Sequence, residues 1–240
     1  MPNHDYLPGV KVDLENYSQF LKSNYGGAWE ANEISIMDTP KKSVLEAVLM
    51  LSRTADYVFI TFSGHGEHLT GKGINETKIC LNAEEDIAVY ELNPRNKRHS
   101  VIIDACRTVR TITETKEKRA LANQFSGAPY TVRSKCRELF DGAVAASEEG
   151  RTVMYSCDIN QIANEKTGGG GVFSEELVNS ARGWAVNKAV EAWRNVADVL
   201  KMDEAFKYAS AATYKLSAPQ KPIYEPGRRH VHLPFAVAAA

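Results

Sequence analysis

Two apolar runs, YVFITF at 57–62 and SVIID at 100–104, do most to restrict how this chain folds. Neither alternates polar with apolar residues, so each reads as a strand covered on both faces, the pattern of a parallel or mostly parallel sheet with helices on its two sides. Further short β-branched or aromatic runs at Ile34–Met37, Thr152–Ser156 and Lys221–Tyr224 add candidate strands. Helical spacing places Val10, Leu14, Tyr17 and Leu21 on one face of Val10–Ser23, and Val44, Leu45, Val48 and Leu49 on one face of Lys41–Leu51. More helices are expected within Tyr130–Ala146, Phe173–Trp184 and Val196–Tyr214. The alternation points to a single α/β domain over residues 1–240.

In such sheets functional groups collect where parallel strands end at their carboxyl side. The first run leads straight into Ser63-Gly64-His65-Gly66 and the second into Ala105-Cys106-Arg107. Neighbouring strands would thus deliver an imidazole and a thiol to one edge, the pair that nucleophilic catalysis by cysteine requires. Alone, Cys106 would read as a small buried hydrophobe and His65 as a turn histidine; at the ends of two consecutive apolar strands they read as nucleophile and base. The backbone N–H groups of Gly66 and Cys106 are the natural donors for an oxyanion formed by attack on an amide.

SGHG after one strand and DAC after the next resemble the caspase-like cysteine peptidases, including metacaspases and their short bacterial relatives. LPGVKVDLENY near the start, YSCDINQIANE and PQKPIYEPG resemble the same family, so the likeness runs along nearly the whole chain. It implies a caspase-type three-layer sandwich with a mostly parallel central sheet, apparently lacking the usual first strand ahead of the LPG segment. It also implies an endopeptidase acting through a thioester. Asp104 stands where the caspase signature has Gln and Thr108 where it has Gly. In metacaspases the position of Asp104 helps form the pocket for the residue before the cut, where a carboxylate favours Arg or Lys. Asp158 is a candidate second carboxylate, and Asn160–Lys166 resembles the loop that pairs with an extended substrate backbone. A pocket of other specificity and an inactive binding module are the competing readings. A role in bacterial defence or regulated cell death follows by analogy alone.

The basic segment Arg107–Gln124 reads as an exposed linker, either a maturation site matched to the enzyme's own specificity or a solvated charge run. The glycines at 168–171 read as a mobile loop; no Gly-Lys-Ser/Thr follows, which argues against a phosphate loop. Cys80, Cys136 and Cys157 lack CxxC spacing and read as structural thiols, His68 as a surface residue, and Trp184 and Trp193 as packing. With 29 basic and 30 acidic residues the chain has no positive field for nucleic acid. No apolar stretch approaches a membrane span, and the first residues lack a signal peptide's pattern. The expected protein is cytoplasmic, without metal or cofactor. Its partners would be protein or peptide substrates, and an activating protease or regulatory protein.

Overall fold

The computed structural model describes residues 7–71, 73–109, 132–190, 197–227 and 231–239. Helix α1 (Gly9–Lys22) and helix α2 (Lys42–Leu51) form where their apolar spacing places them. Strands β1 (Val58–Gly64), β5 (Arg98–Ala105) and β6 (Gly150–Tyr155) pair in parallel, and β8 (Ile223–Glu225) joins β6 antiparallel, giving the order β1-β5-β6-β8. Between β1 and β5 the chain makes a three-stranded antiparallel sheet from β2 (Gly66–Gly71), β3 (Ile74–Cys80) and β4 (Asp86–Ala88). Helices α3 (Arg133–Ala146), α4 (Val172–Val190) and α5 (Met202–Leu216) complete the helical layers. An antiparallel pair of β7 (Asp198–Lys201) and β9 (Pro234–Ala238) packs on them.

The alternation of side chains along β5 divides the core. Ile102 faces one cluster with Tyr17 and Phe20 of α1, Phe140 of α3 and Phe173 and Leu177 of α4. Val101, Ile103 and Ala105 face the other, with Leu45 of α2 and Ile79 and Ile87 of the small sheet. Every residue of β5 after Arg98 is buried, which explains the unbroken apolar run in its sequence.

Four expectations need correction. Ile34–Met37 has strand composition but forms no ladder: Ile34 is extended, and the residues after it run unpaired past the sheet. The helix expected within Val196–Tyr214 is present as α5 but starts only at Met202, after β7, because Val199 and Leu200 pair with Val237 and Ala236. Arg107 does not open an exposed linker. It is buried, its Nε donates to Thr77 Oγ1 at 3.0 Å and its guanidinium lies 3.9 Å from the centre of the Tyr155 ring. The rest of that linker, from Arg110 to Gln124, lies outside the described residues. His68 is only 3% exposed, with Thr77 Oγ1 at 3.0 Å and Asn75 Oδ1 at 2.9 Å from its two ring nitrogens. The His68 and Thr108 backbones also join, so β2 and β3 clamp the chain that leaves Cys106. No described helix is long and apolar enough to cross a membrane.

His99, near the start of β5, is buried with neither ring nitrogen hydrogen-bonded. Burial and, secondarily, the Arg151 charge lower its pKa from 6.5 to about 4. The unfolded chain therefore takes up a proton that the folded chain refuses, and stability falls as pH drops from 6.5 toward 4. His99→Leu is expected to flatten that part of a Tm-versus-pH curve. An unchanged slope would assign the acid loss to other groups.

Candidate active site

The register of β1 against β5 pairs Ser63 with Asp104 and Gly64 with Ala105, so the next residues of the two strands are His65 and Cys106. Both are half-buried at the same end of the sheet. The small sheet holds them in place: Cys80 N–H donates to the His65 carbonyl at 3.0 Å, and Gly66 opens β2 directly after His65. A side-chain carbon on Gly66 would lie 2.9 Å from the Ala105 Cβ and 2.9 Å from the Cys106 carbonyl oxygen. Glycine is therefore required there for the two strand ends to approach.

Cys106 Sγ lies 3.8 Å from the Ala163 carbonyl oxygen. Burial raises its thiol pKa, the Ala163 contact offsets part of this, and the charges of Asp104 and Glu165 add smaller upward pushes. The resting group is thus a thiol kept neutral chiefly by burial, with nearby negative charge adding to the effect.

That charge comes from a cluster only partly expected. Asp104 is 5% exposed, and its carboxylate accepts the Ser174 N–H at 3.0 Å from the start of α4. Facing it is Asp13, 1% exposed on the buried stripe of α1. Asp13 accepts the Gly171 N–H at 3.0 and 3.1 Å, and the Ser63 hydroxyl donates to it. Burial pushes the Asp13 carboxyl well above the ordinary range, Asp104 pushes it further, and the bonds from Ser63 and Gly171 only partly offset this. Burial likewise raises Asp104 despite its hydrogen bonds to Ser174. Among the described residues no lysine or arginine forms an ion pair with either carboxylate. Half-buried Glu165 is raised by burial and by Asp104, while His65 draws it down.

The glycine run closes this cluster. A side-chain carbon on Gly170 would lie 1.9 Å from Asp13 Oδ1, and one on Gly171 would lie 2.2 Å from Asp104 Oδ2. Both glycines serve close approach of backbone to carboxylate, which corrects the reading of this run as merely a mobile loop. The same reason explains Gly9 of LPG, whose missing side chain makes room for the Glu165 carboxyl at 2.8 Å. The loop before the run is fixed by buried Gln220, whose Oε1 accepts Asn164 N–H at 3.1 Å and whose Nε2 donates to the Ser156 carbonyl at 2.9 Å.

Asp158 is not brought to this cluster. It lies in a turn after β6, capping Ile159 N–H at 2.7 Å and facing Lys221 Nζ at 3.4 Å. The second carboxylate beside Asp104 is Asp13, which sequence reasoning passed over although it lies one helical turn before Tyr17 on the buried face of α1. No group of three or more His, Cys, Asp or Glu side chains among the described residues is arranged to hold a metal ion.

The family model of the caspase domain matches residues 1–224. The chain belongs to the caspase-domain family. It is a caspase-like cysteine peptidase, and protein substrates follow from that membership. Among solved structures, caspase-1 from Spodoptera frugiperda superposes with a TM-score of 0.55 at 12% identity, over 94% of this chain and 81% of that one. At that identity the likeness speaks for the fold, a mixed α/β sandwich with a mostly parallel central sheet. No curated protein sequence matches the chain.

Proposed function

We propose that this caspase-family peptidase is an endopeptidase that cuts after arginine or lysine, with Cys106 as nucleophile, His65 as base and Asp13 and Asp104 receiving the basic side chain. The observation that carries this is the pair of buried carboxylates, unpaired with any cation among the described residues, one of them two residues before the thiol. Two carboxylates removed from water favour a cation strongly, and a planar guanidinium can accept bonds from neither but donate to both. An acidic side chain in the same place would meet repulsion and a desolvation cost.

In the reaction the Cys106 proton passes to His65 as sulfur attacks the scissile carbonyl. The oxyanion is met by the N–H groups of Gly66 and Cys106. The imidazolium then gives its proton to the leaving amine as the C–N bond breaks, leaving a thioester. Water attacks the thioester with His65 taking its proton, and return of that proton to sulfur regenerates the thiol. The loop of Asn160–Lys166 would pair with the substrate backbone, and processing within 107–124 would supply control.

The charge arrangement couples recognition to chemistry. Asp104 raises the Cys106 pKa while unpaired. A guanidinium between Asp13 and Asp104 offsets that negative field, so the substrate itself acidifies the nucleophile. Alkylation of Cys106 by iodoacetamide, followed across pH by intact mass, should show its midpoint move to lower pH when agmatine is added. A panel of fluorogenic peptides differing only before the cut should show Arg and Lys ahead of Asp, Leu and Ala by at least about 100-fold in kcat/KM. Preference for Asp would overturn the basic pocket, and no hydrolysis of any peptide by a folded, unlabelled chain would favour a binding module.

A further inference from the structure

A cleft of about 810 Å³ opens beside the first residues of β5 and β6, at the end of the central sheet opposite His65 and Cys106. That volume suits a small organic ligand. From Arg98 to Ala105, β5 spans about 23 Å at about 3.3 Å per residue, so the cleft is well removed from the thiol. Its walls close by tight approach: a side-chain carbon on Gly150 would collide with a Val231 methyl, and one on Gly227 with the Arg151 carbonyl oxygen. Val153 and Val231 give it an apolar lining.

Arg151, the second residue of β6, lines this cleft with a guanidinium that forms no ion pair among the described residues. Only its Nη2 finds an acceptor, the Val89 carbonyl at 2.9 Å, and its Nε is buried without one. Across the ladder it faces His99, which is neutral near pH 7 and carries no hydrogen bond, so no negative charge comes from that side. Glu225 is near enough to act on Arg151 but is exposed and makes no ion pair with it. A guanidinium withdrawn from water in this way gains most from an anion that accepts two of its N–H groups side by side. A second cation is set beside it: Arg95 lines the cleft from a backbone held at φ 56°, with its N–H donated to Asn93 Oδ1 at 2.8 Å. Left-handed backbone at a residue other than glycine is strain of the kind found at ligand clamps.

We infer that this cleft binds a small organic monoanion, a carboxylate on an apolar body, held by the fork of Arg151 with Arg95 as the second cation. The charge balance sets the valence. The described lining residues carry the cations Arg95, Lys97 and Arg151 against the carboxylates Glu149 and Glu225, and Lys97 is already paired with Glu149 at 3.0 Å. One positive charge is left over, which one carboxylate neutralises, whereas a dianion such as a phosphate monoester would leave a negative excess facing Glu225. Val153 and Val231 receive the apolar body. Binding there leaves the strand ends at His65 and Cys106 open, so the ligand does not compete with a peptide substrate.

The probe is sodium 3-phenylpropionate, titrated by ligand-observed NMR into the full chain carrying Cys106→Ala so that it stays intact, with ionic strength held constant by NaCl. Saturable binding with Kd below about 5 mM is expected, and a Tm raised by about 2 °C at about a fourfold excess over Kd. The uncharged 3-phenylpropan-1-ol should bind at least about tenfold more weakly, and Arg151→Gln should weaken the acid by a similar factor while leaving the alcohol unchanged. Two substitutions at exposed positions test the charge balance without touching the core: Arg95→Gln should weaken the acid by about threefold, and Glu225→Gln should strengthen it by about twofold. Binding that does not saturate, an alcohol that binds as well as the acid, a Tm rise reproduced by NaCl alone, or Arg95→Gln and Glu225→Gln proteins that bind as the parent does would each overturn the inference.

Discussion

Cys106→Ala is expected to lower kcat/KM for an arginyl peptide by about 10⁴-fold or more, and His65→Ala by nearly as much, since members of a nucleophile–base unit fail together. At about 1.4 kcal/mol per tenfold, the loss corresponds to roughly 5 to 6 kcal/mol of transition-state stabilisation. In this reading the thiol contributes chemistry and little packing: Cys106 is half-buried, with its sulfur 3.8 Å from the Ala163 carbonyl oxygen. Its removal should therefore move Tm by no more than about 3 °C. Cys157 is the informative control. It is fully buried between the Ala105 and Gln161 carbonyls, and burial pushes its thiol up to about 12. Cys157→Ala should keep hydrolysis while lowering Tm. Iodoacetamide should label Cys106 before Cys157, and retained turnover in Cys106→Ala would reassign the nucleophile.

The sheet and the His65 and Cys106 placements were legible because burial on both faces writes itself into sequence as unbroken apolar runs, and both motifs sit directly at the ends of such runs. The β2-β3-β4 sheet was not legible. GEHLTG and INETKIC keep one polar face, and their buried positions include His68 and Thr77, which composition marks as surface. Arg107 was misread for the same reason: a charged side chain is placed outside by default, and only the structure reveals the Tyr155 face and the Thr77 and Cys157 acceptors that receive it. Ile34–Met37 was misread because its composition is that of a strand while no neighbour pairs with it among the described residues. The residues of β1 remain half-exposed, whereas those of β5 after Arg98 are buried. The pocket was half legible. Asp104 lies two residues before the candidate nucleophile in sequence, whereas Asp13 lies ninety-one positions before Asp104 and is brought to it by the packing of α1 on β1 and by the loop at Gly171.

Asp13→Asn should separate stability from function. In the folded chain the Asp13 carboxyl is raised above its ordinary value, so between that value and the folded one the native state holds a proton that the unfolded chain has released. Stability contributed by this group is full at low pH and declines as pH rises through that window. Asparagine carries no charge at any pH and keeps an oxygen for the Gly171 N–H and a polar nitrogen to face the Ser63 hydroxyl. The variant should thus match the wild type near pH 4 and exceed it in Tm by a few degrees at pH 8. Its kcat/KM for arginyl peptides should fall about 100-fold, with a much smaller loss for peptides carrying leucine before the cut. Asp104→Asn should act the same way. The double variant should lose less than the product of the two single losses, because each carboxylate raises the cost of the other. The Asp13 variant should also lose the agmatine-induced shift in Cys106 alkylation. An Asp13→Asn protein that is less stable at pH 8, or that loses arginyl and leucyl hydrolysis equally, would show that the carboxylate supports the fold of the loop at 168–171 instead of receiving a substrate cation.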